Sequence, residues 1–376
     1  MNRRDVLKLA AGSIAAAARP LHAEMRPILL GQSAALTGPA GALGEEFRQG
    51  ALLYFDHLNA RGGVGGRHVQ LRTLDDGYEP SRCAANTREL IDSGVSALFG
   101  YVGTPTSLAA LPMATAAQVP FVAPCSGAEA LRSPFNRLVI HVRASYQDET
   151  AEIVRQAVLV GAQRIGVFYQ DDGYGKAGLD GVTQALGAQH LAPPVSLGTV
   201  ERNTVDVDRS IKSILAGRPD AIVLVSAYKS CAAFIRGARS AGFRGMFYSL
   251  SFVGTQALAA ELGRDAKGIA ISQVMPFPFS PTIALTREYL AIGNARPGPK
   301  FEPSYGSMEG FVAARAMSEA LRRAGATVSG EGIVAGFESM RDFDFGGFFL
   351  DFSARKHDGS KFVELTILSE GGKVYR

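Results

Sequence analysis

The sequence predicts an α/β protein with two doubly wound lobes. The chain has 376 residues, which exceeds the roughly 250 residues that a single hydrophobic core usually supports. Hydrophobic residues make up 47% of the chain and charged residues 20%, as is typical of ordered globular proteins. Short apolar runs also alternate with helical patterns, which favours parallel sheets covered by helices on both faces.

The first series of strands and helices begins at Ile28. It contains predicted strands over residues 28–34, 69–74, 97–99 and 120–123, with helices near 44–61, 81–93 and 106–117. Apolar residues of the first helix recur with the helical period and form a stripe along one face, which predicts that this face packs against a sheet. The stripe consists of Phe47, Ala51, Tyr54, Phe55 and Leu58.

A second series of similar size follows an apolar segment over residues 138–142. Its predicted strands cover 165–169, 195–199, 221–225 and 246–249, with helices near 147–160, 175–188, 206–216 and 229–241. The C-terminal part adds helices near 283–292, 304–324 and 331–340, then strand-like segments over 346–352 and 363–368. We expect these segments to complete the earlier sheets. No Pro/Ser/Gly-rich linker separates the two series, which predicts tight crossovers between two lobes.

The first 23 residues have the features of an export signal. The paired Arg3 and Arg4 precede Lys8, a weakly apolar run over residues 9–18 and a small residue at Ala23, a pattern that resembles a twin-arginine signal cleaved after Ala23. No cysteine lies near this point, so we expect a soluble periplasmic protein without a lipid anchor. Removing this segment, with its four basic residues and one acidic residue, lowers the formal charge from +4 to +1.

Composition and motifs exclude several classes of function. A nearly neutral chain without a basic stripe does not favour nucleic acid as a partner. The three cysteines and six histidines lack the spacing of metal sites, and the motifs of hydrolases, metalloproteases, redox enzymes and P-loop enzymes are missing from the sequence. The acidic pairs at 75–76 and 171–172 follow predicted strands, where aspartates cap helices and form turns more often than they catalyse. We therefore expect no enzyme activity, cofactor or metal.

Several motifs together carry a family resemblance. They are Ala35-Leu36-Thr37-Gly38-Pro39 with Gly44, residues 59–67 (NARGGVGGR), Asp75-Asp76, Phe99-Gly100, residues 119–124 (VPFVAP), Asp172-Gly173-Tyr174-Gly175 and Pro303-Ser304-Tyr305. In this order they resemble the leucine/isoleucine/valine-binding family of type I periplasmic binding proteins. The resemblance covers nearly all of the chain after the predicted signal.

The resemblance implies a Venus-flytrap architecture of two Rossmann-like lobes joined by three crossovers. We expect the crossovers near residues 142, 274 and 344, so that residues 24–142 and 275–344 form the N-terminal lobe and residues 143–274 and 345–376 the C-terminal lobe. A monomer of this kind would enclose a small-molecule ligand by hinge closure in the cleft between its lobes, then deliver it to an ABC permease in the inner membrane. The alternative is a ligand-sensing protein that presents the bound solute to a separate receptor.

The resemblance also implies the ligand contacts. Thr104 would hold the ligand's carboxylate with its hydroxyl and backbone N–H, aided by a helix N-terminus near Thr106. The loop after Pro124 would supply a second set of ligand contacts, and aromatic rings would cover the ligand from the other lobe. Tyr101, Phe277 and Phe279 are expected to pack in the core or hinge. The implied ligand-binding residues are Leu43, Thr104, Cys125, Ser126, Gly127, Tyr146, Tyr174, Tyr228, Ser251 and Phe252.

Two positions depart from the family pattern and bear on the ligand. Amino-acid binders of this family hold the ligand's ammonium group with a carboxylate at the position of Ser251, and they often carry a hydroxyl at the position of Gly127. A buried ammonium without a counter-charge costs several kcal/mol. The sequence therefore predicts that a carboxylate anchors the ligand and that an α-amino group is not required. The alternative is that Asp171, Asp172 or Glu149 has taken over the ammonium.

Overall fold

The structure is a computed structural model that describes residues 26–325 and 328–376. The predicted export signal over residues 1–23 lies outside the described residues. Within those two ranges, no helix is both long and apolar enough to cross a membrane.

The first sheet is parallel throughout. Its order is β2-β1-β3-β4-β5. The order of the strands reverses beside β1, and in sheets of this kind ligands bind at the carboxyl ends of the strands. The strands are β1 (Ile28–Ala34), β2 (Val69–Asp75), β3 (Ala97–Phe99), β4 (Phe121–Val122) and β5 (Val139–Ile140).

The second sheet repeats this order and adds two antiparallel strands at one edge. The order is β14-β13-β10-β9-β8-β6-β7. Its inner strand β8 (Ala221–Val225) is apolar and buried at every position, as expected for a strand covered on both faces. The other strands are β6 (Ile165–Gln170), β7 (Ser196–Val200), β9 (Met246–Ser249), β10 (Ile269–Gln273), β13 (Glu364–Leu368) and β14 (Val374–Tyr375).

Helices cover both sheets, and most of them lie close to the predicted positions. Two-lobe α/β architecture is thereby confirmed, and we call the two units the first lobe and the second lobe. The helices are α1 (Gly41–Asn59), α2 (Pro80–Asp92), α3 (Thr104–Ala116), α4 (Tyr146–Leu159), α5 (Gly173–Ala188), α6 (Asp208–Ala216), α7 (Tyr228–Ser240), α8 (Thr255–Leu262), α9 (Ala284–Ala295), α10 (Tyr305–Arg323) and α11 (Gly330–Glu338).

Helix α10 packs directly on α1, which brings two distant parts of the chain together in the first lobe. A Cβ atom on Gly50 would lie 1.8 Å from the carbonyl oxygen of Ser307, and one on Gly310 would lie 1.9 Å from that of Phe47. Glycine is therefore required at both points of this crossing. The close approach places Glu46 of α1 and Glu309 of α10 at the same edge of the cleft, where both line one cavity.

The segment after α11 departs from the prediction. Residues 346–352 were expected to complete one of the large sheets, but β11 (Phe343–Asp344) and β12 (Phe349–Leu350) form a separate two-stranded sheet. The prediction is wrong because this segment turns back on itself and pairs locally. By contrast, β13 joins the second sheet as expected, antiparallel to β10. Strand β10 and helix α8 were not predicted.

The first and third connections between the lobes lie side by side. The backbone of His141 donates to His357 at 2.9 Å and accepts from Gly359 at 2.8 Å, so residues 345–360 are attached to the first lobe. We therefore propose that the third crossover lies near residues 361–363 rather than near 344. The crossovers near 142 and 274 remain proposals that agree with the order of the strands.

Candidate functional site

The loop after β3 delivers Thr104 to the interface between the lobes. Gly103 precedes it with φ of 101°, and a Cβ atom there would lie 2.2 Å from the ring of Tyr78, so the loop requires glycine. Thr104 begins α3 and is fully buried. Its hydroxyl lies 2.7 Å from that of Ser126, which also accepts from the backbone of Ala128 at 3.2 Å. Two strand-end loops of the first lobe thus place two hydroxyls side by side.

Tyr146 of the second lobe lies next to these hydroxyls, and Tyr174 packs against Tyr146. The rings of Tyr146 and Tyr174 lie 5.3 Å apart, and Phe252 meets Tyr174 edge-on at 4.8 Å. The Tyr146 hydroxyl lies near Thr104, yet neither tyrosine hydroxyl has a hydrogen-bond partner among the described residues. Burial raises the pKa of both hydroxyls, so both keep their protons and remain donors. We call Thr104, Ser126, Tyr146 and Tyr174 the hydroxyl cluster.

Gly127 makes room for this cluster. A Cβ atom at position 127 would lie 2.5 Å from Cδ1 of Tyr146 and 2.6 Å from its backbone nitrogen. The Gly127 carbonyl also accepts from that nitrogen at 2.8 Å. The hydroxyl missing at this position is therefore explained by packing against Tyr146.

Arg143 lies between β5 and α4 and contacts both lobes. Its guanidinium is 1% exposed. Nη2 donates to Glu149 at 3.0 Å and to Ser251, both in the second lobe. Nη1 donates to Glu309 at 3.3 Å and contacts Cys125 Sγ at 3.5 Å, both in the first lobe. Burial alone would lower the pKa of Arg143, but Glu309, Cys125 and Glu149 raise it above its ordinary value, so the group stays charged.

The Glu149 carboxylate lies beside Ser251, and its hydrogen-bond acceptor sites are filled by donors of the protein. Besides the bond from Arg143, its carboxylate accepts from the Ser251 backbone at 2.8 Å, the Ser251 hydroxyl at 3.0 Å and the Ser272 hydroxyl at 2.6 Å. A carboxylate has about four acceptor sites. The carboxylate beside Ser251 is therefore already matched by a cation and three neutral donors of the chain itself.

Two further carboxyl groups, those of Glu46 and Glu309, face the interior of the cleft. Burial raises the pKa of Glu46, although bonds from Ser304 and Gly306 oppose this. Burial also raises the pKa of Glu309, against the lowering effect of Arg143. Loss of hydration disfavours the charged form of a carboxyl, so both groups favour the neutral form more than an exposed glutamate does.

These groups surround a cavity between the lobes. Its volume is about 30 Å³, enough for about two water molecules. A larger ligand does not fit the cavity in this arrangement of the lobes. The lining residues are Leu43, Glu46, Phe47, Cys125, Arg143, Ser251, Phe252, Gly254, Thr255, Gln273, Val274, Met275, Tyr305, Gly306 and Glu309.

The predicted site residues divide into three groups. Leu43, Cys125, Ser251 and Phe252 line the cavity. Thr104, Ser126, Gly127, Tyr146 and Tyr174 form the buried cluster beside it. Tyr228 begins α7 beside the backbone of Ala42 and does not line the cavity.

A second set of contacts closes the cleft at its outer rim. Arg202 of the second lobe lies 2.9 Å from Glu79 of the first lobe and 3.4 Å from Asp172 of its own lobe. Asn203 donates to Glu79 at 2.7 Å and to the carbonyl of Gly77 at 3.1 Å. The Arg202 guanidinium also lies 5.9 Å from the centre of the Tyr78 ring. We call these residues the rim contacts.

The acidic pairs have structural partners. Burial alone would raise the pKa of Asp75, but bonds from Thr37, Leu36, Gly77 and Arg82 lower it well below its ordinary value. Asp172 accepts from the backbone of Tyr174 at 2.9 Å as the cap of α5. Turn formation and helix capping, the roles expected from the sequence, are both observed.

Sequence reasoning missed Arg143, Glu46, Glu309 and the rim contacts. A usable signal for Glu309 was an acidic residue between Gly306 and Gly310 in a helix whose neighbouring positions are apolar. For Arg143 the only signal in the sequence was its position just after a buried strand. Its partner Glu309 is 166 residues away in the chain.

Comparison with known proteins gives consistent matches. A family model described as periplasmic binding protein matches residues 27–370. An amino acid binding protein of Pseudomonas aeruginosa is 23% identical over 335 residues, covering 86% of this chain and 85% of that protein. Two solved structures are similar at higher identity. One, described as "a possible leucine/isoleucine/valine-binding protein" from Rhodopirellula baltica, has a TM-score of 0.90 at 34% identity, covering 94% of this chain and 97% of the other. A substrate-binding periplasmic protein from Ralstonia solanacearum has a TM-score of 0.86 at 32% identity, with 92% and 99% covered.

Proposed function

Because the chain belongs to the periplasmic binding protein family, we propose that it is the substrate-binding component of an ABC importer. In this proposal it is exported to the periplasm and acts there as a monomer. It captures a small carboxylate-bearing ligand between its lobes and delivers it to a permease in the inner membrane. The proposal assigns no chemical reaction to the cleft, and product analysis after incubation with a bound ligand tests that point.

The observation that carries the proposed ligand class is the hydroxyl cluster. Tyr146 and Tyr174 are buried and their hydroxyls have no partner in the described parts of the chain. A buried donor without an acceptor costs about 1–3 kcal/mol. A ligand carboxylate would supply the missing acceptors, and the N-terminus of α3 at Thr104 favours a negative charge at the same place.

The surroundings of Ser251 support a ligand without an α-amino group. Glu149 is the only one of the proposed substitute acids that lies beside Ser251, and Arg143 and three other donors already satisfy its carboxylate. A ligand ammonium at this point would compete with the chain's own guanidinium. We therefore propose that aromatic or aliphatic organic acids bind as well as, or better than, leucine or valine.

Ligand entry requires a hinge motion in this proposal. The small volume of the cavity and the rim contacts between the lobes both correspond to a closed form. Closure excludes water and strengthens polar contacts inside the cleft. Small-angle scattering should show a smaller radius of gyration with saturating ligand than without it, and equal radii would contradict hinge closure.

A thermal-shift screen followed by calorimetry tests the ligand class. The screen covers amino acids and aromatic and aliphatic carboxylates, because a ligand at 100 times its Kd adds about 2.7 kcal/mol of stability. Calorimetry then compares leucine with its keto acid, 4-methyl-2-oxopentanoate. We expect the keto acid to bind at least as tightly, and a strong preference for leucine would refute the dispensable amino group.

Variants at two threonines distinguish loss of the carboxylate contact from a general loss of folded protein. Thr104→Ala should weaken carboxylate binding about tenfold, because it removes one hydrogen bond to a charged group. Thr183→Ala is the matched control, since Thr183 lies on the exposed face of α5. Equal affinity of the Thr104→Ala variant and the unaltered protein would contradict the proposed anchor.

A further inference from the structure

Arg143 combines three properties that suit direct contact with a ligand. It is the one basic side chain among the described residues that line the cavity. It stays charged because carboxylates of both lobes surround it. Its two terminal nitrogens are engaged with the protein, whereas its Nε–H is buried and has no partner in the described ranges. One donor of a charged, cavity-lining residue therefore remains without a partner.

We propose that Arg143 is a ligand-binding residue, whose Nε–H donates to the ligand's anionic oxygen and selects a carboxylate over its neutral amide. The inference rests on the proposed function, because it assumes the same ligand in the same cleft. It adds a charged contact to the uncharged donors of the hydroxyl cluster. The two groups are neighbours, since the Arg143 guanidinium lies 5.8 Å from the centre of the Tyr146 ring.

The charge balance around Arg143 is compatible with an anion. Glu149 neutralises the guanidinium and is itself saturated with donors. Glu309 is the other nearby acid, and burial favours its neutral form. Protonation of Glu309 would leave the three side chains without net charge, and a ligand carboxylate would then meet no surplus of negative charge.

The position of Arg143 also links ligand recognition to closure. Nη1 contacts the first lobe and Nη2 the second, and the residue itself lies between β5 and α4. The guanidinium is therefore held in place by contacts from both lobes at once. A ligand bound to Nε–H stabilises this closed arrangement.

The test compares acids with their amides, because an amide keeps the shape of the acid and loses its charge. The probes are 4-methylpentanoate and benzoate, each with its primary amide, titrated by calorimetry into the unaltered protein and into Arg143→Gln and Arg143→Lys variants. The unaltered protein should bind the acid more tightly than the amide. Arg143→Gln should reduce this acid-to-amide ratio about 10- to 100-fold. Arg143→Lys keeps the charge without the Nε–H and should give an intermediate ratio.

Two controls keep the result interpretable. Arg143→Gln leaves Glu149 unpaired, so the paired variant Arg143→Gln/Glu149→Gln provides a folded alternative, checked by circular dichroism. Arg202→Gln at the rim should weaken acid and amide by the same factor. A purely structural role of Arg143 would also weaken both probes equally.

The outcomes separate this inference from the proposed function. An unchanged acid-to-amide ratio in a folded Arg143 variant overturns the role of Arg143, while Thr104→Ala still tests the carboxylate anchor. No binding of either acid by the unaltered protein contradicts both proposals. A ratio that falls with Arg143→Gln and partly recovers with Arg143→Lys supports the inference.

Discussion

Arg143 and Arg202 each bridge carboxylates of the two lobes, but in different surroundings. Arg143 pairs with Glu149 and Glu309 in the interior of the cleft, where its side chain is 1% exposed. Arg202 makes its pairs at the rim, where its side chain is 22% exposed. The same kind of contact therefore has two different consequences. The interior arginine lines the cavity, and we propose that it affects which ligand is bound, whereas the rim arginine affects how firmly the lobes stay closed.

The largest difference should appear when each arginine is removed. Arg143→Met should lower the free energy of unfolding by about 3–5 kcal/mol, because Glu149 is left buried and unpaired. Arg202→Met should cost only about 0.2–1 kcal/mol, since solvent screens the rim pairs. Urea denaturation of both variants at the same ionic strength measures this. Similar losses in the two variants would remove the distinction between interior and rim.

Gly127 tests whether the interior is packed as tightly as its geometry indicates. Gly127→Ser introduces a Cβ atom where the Tyr146 side chain and backbone lie within 2.6 Å. Overpacking of this kind typically costs about 1–3 kcal/mol, and displacement of Tyr146 should also weaken ligand binding. Thermal denaturation with calorimetry measures both effects. Stability and affinity equal to those of the unaltered protein would show that the cluster is looser than described.

The fold was largely predictable from periodic patterns. Apolar runs and helical stripes located most of the strands and helices, since those signals are local. Strand β10 was missed because Ser272 and Gln273 interrupt its short apolar run. The segment over 346–352 was misassigned because a short apolar run does not show which strand it pairs with.

The site was predictable only in part, for a related physical reason. Thr104, Ser126 and Tyr174 follow strands, so the resemblance and the chain order indicated their positions. The network of Arg143 joins the segment between β5 and α4 to helices α4 and α10, and its contact with Glu309 spans 166 residues. No local pattern reports such a contact, and only the folded chain brings the groups together.

The pH dependence of binding sharpens the role of the interior network. The groups around Glu309 are Arg143, Glu149 and Cys125. Burial raises the Glu309 pKa above 4.5, so the folded state holds its proton over an interval in which the unfolded chain has lost it. Raising the pH through that interval ionises Glu309, makes the network negative and lowers the free energy of unfolding. Affinity for an ionised carboxylate should fall as well.

Calorimetry with 4-methylpentanoate over a pH series that begins above the titration of the ligand itself measures this effect. The Glu309→Gln variant is the control, because it cannot ionise and should show a flatter profile. Affinity that rises with pH in the unaltered protein would contradict the assigned direction.

The smallest effect is expected at the rim. Arg202→Gln and Asn203→Ala should each raise the Kd for every ligand about two- to fivefold, without changing the order of preference. The loss should appear mainly as faster ligand release, because the variants destabilise the closed form. Stopped-flow measurement of release at low and high salt tests this, and a changed ligand preference would place the rim residues in the recognition site.

A crystal structure of the protein with its tightest carboxylate from the thermal-shift screen tests the central claim most directly. We expect the ligand between the lobes, with carboxylate oxygens about 2.7–3.2 Å from hydroxyls of the cluster and from Nε of Arg143. A carboxylate that points away from both, or a ligand bound outside the cleft, would contradict the account.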